Sequence, residues 1–366
     1  MRPRSNPGRS IRPFPPSAKG AESPPVFVAD FIDFLLGLPV RALVWLIQSL
    51  PLRAVARMGR GLGAVAWHLD RRHRRVTLAN LDIALGDRLA NDDRRRVARE
   101  HFRRLGENYA CAIKTASMSN EELRPHLALA GLEGLVSEQG RRLVAAVGHF
   151  GNFELYARSN RDDPSWRVAT TYRSLRPRFL DRILQSLRRR SGGLFYERNR
   201  EGAAVRTALA AGNVTLGLLC DQHAGPRGLW LPFFGRHCST SAAPAIYALR
   251  FDLPVVPAIC YRVGLAQWRI EVGTPIPTRT RAGARRPQQD IMAEVNGAFE
   301  SAILRDPANW FWVHRRWKPP SQAQVASEKR TACPEDPATQ PAPSMDPGAE
   351  KQYGTDALIE PEADVG

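Results

Sequence analysis

The chain has 366 residues, 43% of them hydrophobic, and carries 53 Lys and Arg against 36 Asp and Glu for a formal charge of +17. That length and apolar content support one large domain or two modest ones and exclude a wholly disordered or fibrous chain. Nine acids and three bases stand in residues 321–366, which leaves 50 bases against 27 acids before them, so the folded part seeks anions: nucleic acid, anionic lipid headgroups or an acidic carrier protein.

Residues 1–25 are rich in Pro, Arg and Ser and predict a disordered basic arm. No apolar core with a cleavage site precedes residue 25, which argues against a signal peptide. From Val26 to Leu50 the chain is apolar but interrupted by Asp30, Asp33, Pro39 and Arg41. A clean membrane-crossing helix wants roughly 20 uninterrupted apolar residues. A monotopic segment is the better expectation, with Phe27, Phe31, Phe34, Leu35, Leu38 and Trp45 pressed into a bilayer. A helix packed on the protein's own core and a single amino-terminal anchor are the alternatives. Residues 52–118 predict three further helices, and 26–118 together read as a helical membrane-associating region. Within it, Gly59-Arg60-Gly61-Leu62-Gly63-Ala64 imitates a dinucleotide loop, but no strand precedes it, so these glycines predict close helix packing. The run Arg71-Arg72-His73-Arg74-Arg75 then opens a helix, a solvated face within reach of the proposed membrane surface.

Residues 119–318 predict an α/β domain packed with the helical region as one unit. After residue 140 strands alternate with helices, the signature of a largely parallel central sheet flanked by helices. Strands are expected at 143–148, 167–171, 194–197, 214–219, 255–260 and 268–273, and helices near 152–159, 177–190, 200–211, 241–251 and 288–304. The stretch Leu143-Val144-Ala145-Ala146-Val147-Gly148-His149-Phe150-Gly151-Asn152-Phe153-Glu154 organises the rest, because a buried strand there empties into a histidine and a carboxylate. His149 falls at the strand's carboxyl end, where open α/β sheets bind their ligands. A neutral imidazole suits proton removal from an alcohol, and Glu154 can fix its tautomer if the backbone turns between them. The same spacing, taken alone, also suits a capping histidine followed by an ordinary first-turn glutamate.

Three more places carry chemistry. Val168 to Arg173 ends a strand on Tyr172-Arg173, and a guanidinium there can clamp a phosphate, although a lone arginine more often makes a surface ion pair. Val214 to Gly225 repeats the strand-to-polar-corner pattern: Asp221 can orient a base or an acceptor hydroxyl, Gln222 can bind a carbonyl, and Gly225 permits a tight turn. The run Trp310-Phe311-Trp312-Val313-His314-Arg315-Arg316-Trp317-Lys318 mixes aromatics with cations, as lipid–water interfaces and single-stranded nucleic acid sites both do. From 319 to 366 an acidic disordered tail is expected. Cys111, Cys220, Cys238, Cys260 and Cys333 are odd in number without Cys-x-x-Cys spacing, which fits a reducing compartment and predicts no metal site.

The His149-x4-Glu154 spacing resembles the His-x4-Asp/Glu motif of glycerolipid acyltransferases. Its Gly-His-Phe-Gly-Asn-Phe-Glu wording is similar to the lipid A lauroyl and myristoyl acyltransferases. The resemblance runs over about residues 40–318 in one order: Arg71-Arg72-x-Arg74-Arg75, Tyr172-Arg173 with Arg176-Pro177, Asp221-Gln222-x-x-Gly225, Pro232-Phe233-Phe234-Gly235, and the Trp-x-x-Arg-Arg-Trp-Lys ending. It implies transfer of a fatty acyl chain from an acyl carrier protein or coenzyme A thioester to a hydroxyl of a membrane glycolipid, a lipid A precursor first. A mannosylated phosphoinositide or another lysolipid fits the same corner. His149 would be the base and Glu154 its orienting acid, with Arg173, Arg176, Asp221, Gln222, Gly225 and Asn152 around the substrate. The resemblance implies no cofactor beyond the acyl donor, no nucleic acid partner, and a place on the cytoplasmic side of the inner membrane. The competing expectation is a nucleic-acid-binding or lipid-binding protein without catalysis.

Overall fold

The computed structural model describes residues 26–131, 142–160, 166–212 and 214–320, together with Val325, and gives only the backbone for 26–32. The basic arm predicted for 1–25 and nearly all of the predicted acidic tail lie outside the described residues. The described residues up to Pro320 cluster as one compact unit.

Among the described residues four helices come first: α1 Val26–Ser49, α2 Leu52–Leu69, α3 Arg71–Leu85 and α4 Asn91–Thr115. The last three are those expected between 52 and 118. The glycine cluster does pack helices together. A Cβ on Gly63 would lie 2.1 Å from the Phe102 carbonyl oxygen, and one on Gly106 would lie 2.2 Å from that of Gly59, so α2 and α4 cross with their backbones in contact. Asp70 caps α3 by accepting the His73 amide at 3.0 Å, which explains how a helix begins inside a run of arginines. Among the described residues no helix is long and apolar enough to cross a membrane.

After the short α5 (Asn120–Leu123) comes a seven-stranded sheet: β1 Leu127–Ala130, β2 Leu143–Val147, β3 Arg167–Tyr172, β4 Leu194–Glu197, β5 Val214–Leu219, β8 Val255–Gly264 and β9 Gln267–Val272. Its order is β1-β9-β8-β2-β5-β3-β4. Strands β4, β3, β5, β2 and β8 run parallel, while β9 is antiparallel to β8 and carries β1 parallel to itself. Helices α6 Arg178–Arg189, α7 Gly202–Ala211, α8 Ala243–Phe251 and α9 Gln288–Arg305 complete the fold. The α/β class with a mostly parallel sheet is thus as expected. Three local expectations differ. β1 was not foreseen in so short a stretch. β6 Leu229–Phe233 and β7 Arg236–Thr240 make a separate antiparallel hairpin, hidden because Pro232 disguises a strand. The helix expected at 152–159 is a tighter 3-10 turn at Phe153–Arg158.

The site is set by β2. Its Leu-Val-Ala-Ala-Val run is buried on both faces between β5 and β8, as a central parallel strand requires. Val147 pairs in register with Leu219 of β5, so the two strands end level, and each releases a polar residue two positions later.

Candidate active site

Those two residues are His149 and Asp221, 72 positions apart in the chain and in contact in space. The His149 ring Nδ1 stands 2.8 Å from Asp221 Oδ1. The His149 backbone amide donates to Asp221 Oδ2 at 2.8 Å, and the Trp310 indole Nε1 donates to the same oxygen at 2.8 Å. Burial pushes the Asp221 carboxyl up, but the adjacent His149 charge and these donated hydrogen bonds outweigh it and hold the group below the usual carboxylate range. An ionised acid at Nδ1 keeps the proton on that nitrogen and leaves Nε2 as the acceptor.

Glycines shape the corner. A Cβ on Gly148 would sit 2.6 Å from the Phe150 ring, and Gly151, at φ +51°, would bring one 2.5 Å from the Cys260 carbonyl oxygen. Phe150 is fully buried between them, so the intervening turn presents His149 outward. The imidazole rests on Phe153, with centroids 4.8 Å apart, and on Phe311 at 5.4 Å.

Beyond the ring opens a cavity of about 530 Å³ between α4 and α6, within the range of small-molecule sites. Leu105, Tyr109 and Ile113 of α4 and Leu184 and Leu187 of α6 make its apolar walls, while His149, Asn152, Glu154 and Arg188 stand among its polar residues. Glu154 does not orient the imidazole, contrary to expectation. Its carboxylate is held by Arg188, with Nη2 to Oε1 at 2.6 Å and Nε to Oε2 at 3.1 Å, and the guanidinium lies 5.6 Å from the Phe195 ring centroid. A two-point ion pair across 34 residues wins over a sequence neighbour because the 3-10 turn aims Glu154 at α6, whereas β5 delivers Asp221 to the ring.

Residues 31–319 match the family model for the bacterial lipid A biosynthesis acyltransferase. The chain belongs to this family. It is an acyltransferase. It is similar to the lipid A biosynthesis palmitoleoyltransferase of Escherichia coli (strain K12), 24% identical over 281 residues that cover 75% of this chain and 88% of that protein. The lipid A biosynthesis acyltransferase of Shigella flexneri matches with the same figures. The lipid A biosynthesis lauroyltransferase of Escherichia coli (strain K12) is 23% identical over 286 residues, covering 75% of this chain and 89% of that protein.

The remaining residues of this acyltransferase that were singled out in the sequence divide into two groups. Asn152 is buried in the cavity wall, and among the described residues neither its amide nitrogen nor its side-chain oxygen meets a partner. Gln222 Nε2 lies 3.5 Å from His149 Nε2, and Gly225 takes the left-handed φ of +82° that its turn needs. Arg173 and Arg176, by contrast, are exposed. They stand on either side of Leu175, which lines the cavity, so the cation facing the interior beside Glu154 is Arg188, which the sequence reading passed over.

The aromatic run near residue 310 also differs from its reading as a lipid–water interface. Trp310, Trp312 and Arg316 are almost wholly buried, and the segment clamps the Asp221 loop at three successive residues. Trp310 holds Asp221. Arg316 donates to the Gln222 carbonyl at 3.4 Å and bonds Thr240 Oγ1 at 2.8 Å. The His223 amide donates to His314 Nε2 at 2.9 Å. Asn80 of α3 fastens the clamp, its Nδ2 donating to the Trp312 and His314 carbonyls at 2.7 and 2.6 Å. Burial takes the His314 pKa down to about 4, which keeps Nε2 an acceptor near neutral pH.

His101, on the cavity wall contributed by α4, is likewise brought down to about 4, chiefly by burial. Both rings bind fewer protons folded than unfolded. Their stabilising contribution is therefore complete above the unfolded value near 6.5 and is lost as pH falls toward 4. Denaturant unfolding should show His101 alone costing about 2 kcal/mol between pH 7 and pH 5, and His101→Leu should flatten that slope. An unchanged slope would assign the acid sensitivity elsewhere.

Proposed function

We propose that this acyltransferase moves a fatty acyl chain from a thioester, carried by acyl carrier protein or coenzyme A, to a hydroxyl of a lipid A precursor. The observation that carries the reading is the buried carboxylate on His149 Nδ1 beside a mostly apolar cavity of about 530 Å³. His149 Nε2 takes the acceptor hydroxyl's proton as that oxygen attacks the thioester carbonyl. The tetrahedral oxyanion collapses, the carbon–sulfur bond breaks, and the departing thiolate takes the proton back from the imidazolium. Asp221 holds the tautomer and balances the transient positive ring, so no acyl-enzyme and no cofactor are needed.

The other polar groups find work in the same step. The unpartnered amide of Asn152 can donate to the thioester carbonyl, and Arg188, held by Glu154, supplies positive charge for the oxyanion or an acceptor phosphate. Arg173 and Arg176, exposed beside Leu175, are suited to acceptor phosphate outside the cavity. Each acyl CH₂ buried against the α4 and α6 walls contributes about 0.8 kcal/mol.

The setting is a membrane surface on the cytoplasmic side of the inner membrane, where thioester donors are made. α1 exposes Phe34, Leu35, Leu38, Leu43, Trp45 and Leu46, and it is tied to the cavity walls. Gln48 Nε2 donates to the Ile113 carbonyl of α4 at 3.0 Å, and Arg190 at the end of α6 donates to Gln48 Oε1 at 3.3 Å. An apolar helix lodged there is a route for lipid between bilayer and cavity.

Purified protein given acyl thioester and Kdo-bearing lipid A precursor should release free thiol in step with a glycolipid heavier by one acyl chain, followed by mass spectrometry. Thiol release with no acylated glycolipid, or acylation confined to a phosphoinositide mannoside or another lysolipid, would overturn the acceptor assignment.

A further inference from the structure

Helix α2 has a side that nothing among the described residues covers. Val55, Ala56, Gly59, Gly63 and Trp67 are buried, the two glycines against the backbone of α4. Met58, Leu62, Val65 and Leu69 fall at intervals of four, three and four, one stripe along the helix, and Leu62, Val65 and Leu69 are 61%, 53% and 76% exposed. An exposed apolar row of this size on a soluble face marks a contact.

Its ends identify the contact. Arg53 and Arg57 lie before the stripe and Arg71 and Arg72 after it, all four exposed. Between residues 53 and 75 there are seven arginines and one acid, Asp70, and Asp70 is occupied by the His73 amide and ring. Arg60 is spent internally on Glu100 and Glu107, and Arg74 on the Trp67 carbonyl and ring. A second copy docked on the stripe would set arginines against arginines at both ends. A surface of anionic headgroups over acyl chains matches the whole pattern. At 1.5 Å per residue the stripe is only about 17 Å long, too short to cross a hydrocarbon core of about 30 Å.

We propose that α2 is an in-plane membrane-binding helix, with Met58, Leu62, Val65 and Leu69 among the acyl chains and Arg53, Arg57, Arg71 and Arg72 on anionic headgroups. The long arginine side chains let the charges stay at headgroup level while their stems lie along the apolar boundary. This deepens the membrane setting proposed above, which rested on α1, and adds a second contact that limits how the enzyme can tilt on the bilayer.

The test uses the full chain, without acyl donor or glycolipid, on vesicles of phosphatidylcholine with or without phosphatidylglycerol. Leu62→Asp/Val65→Asp should weaken co-sedimentation with the anionic vesicles at least tenfold. Replacing Arg53, Arg57, Arg71 and Arg72 together by Gln should abolish the gain that phosphatidylglycerol brings and its salt sensitivity. Leu62→Trp, which keeps the face apolar, should add a component of indole fluorescence quenched by brominated acyl chains beyond that of the wild type, whose Trp45 on α1 is already exposed. Unaltered binding by the double Asp variant, or a vesicle-bound Leu62→Trp protein that bromine quenches no more than the wild type, overturns the proposal. So does a dimer in solution that the double Asp variant dissociates, which would give the face to a second copy. Thiol release on detergent-dispersed lipid A precursor keeps the two readings apart: its absence in the wild type would defeat the acyl-transfer reading and leave the vesicle result standing.

Discussion

Asp221→Asn should lower thiol release from acyl thioester by about 10²- to 10⁴-fold, the span expected when a general base loses the acid that orients it, with the fold intact by circular dichroism. The amide is nearly isosteric, so packing is kept and only the proton arrangement changes. Asp221 accepts from the His149 ring, the His149 amide and the Trp310 indole. Asparagine can satisfy one side of that set with its carbonyl, but its NH₂ then faces a donor or forces the ring into the tautomer with the proton on Nε2, where the acceptor hydroxyl needs a lone pair. The loss should fall on kcat rather than KM and should alter its pH dependence. A variant that turned over within threefold of wild type would mean that Asp221 is structural and that the imidazole is oriented by something else.

This prediction could not have been ranked from sequence alone, although both of its residues were visible there. His149 and Asp221 each stood out as the first polar residues after a buried strand, and the level ending of β2 and β5 at Val147 and Leu219 explains why that signal was reliable. What sequence lacks is the neighbour relation between strands. Without the β2–β5 pairing, the nearest acid along the chain was Glu154, and a short turn made the pairing with His149 plausible. The helical half was legible in outline because Gly59 and Gly63 have a steric reason that shows in composition. Trp310, Trp312 and Arg316 misled for the opposite reason. A dense aromatic and cationic run has the composition of an interface, and only the tertiary hydrogen bonds to Asp221, Gln222 and Thr240 reveal it as an internal clamp. The apolar cavity is assembled from α4, α6 and the β2 corner, segments with no shared sequence signal, so it had no signature to read.

Glu154 and Arg188 should behave as one unit, separate from the His149–Asp221 pair. Glu154→Gln and Arg188→Gln are each expected to lower kcat/KM by about 10- to 100-fold, and the double variant should be no worse than the poorer single, a non-additivity that marks residues sharing one interaction. The physical ground is the two-point ion pair, with both side chains mostly shielded from water at 24% and 17% exposure. Removing the carboxylate frees a guanidinium that still rests against the aromatic rings of Tyr172 and Phe195, so its charge drifts from the place where the oxyanion forms. Removing the guanidinium leaves an acid facing an apolar cavity, where it repels that same developing charge. Because neither change touches Nδ1 of the ring, the pH dependence of kcat should stay that of the wild type, in contrast to Asp221→Asn. Combining Glu154→Gln with Asp221→Asn should give additive losses in free energy. Should Glu154→Gln instead shift the pH profile, or add independently to Arg188→Gln, the acid of the His-x4-Glu motif would be acting on the imidazole during turnover, and the Arg188 pair would have to break before catalysis.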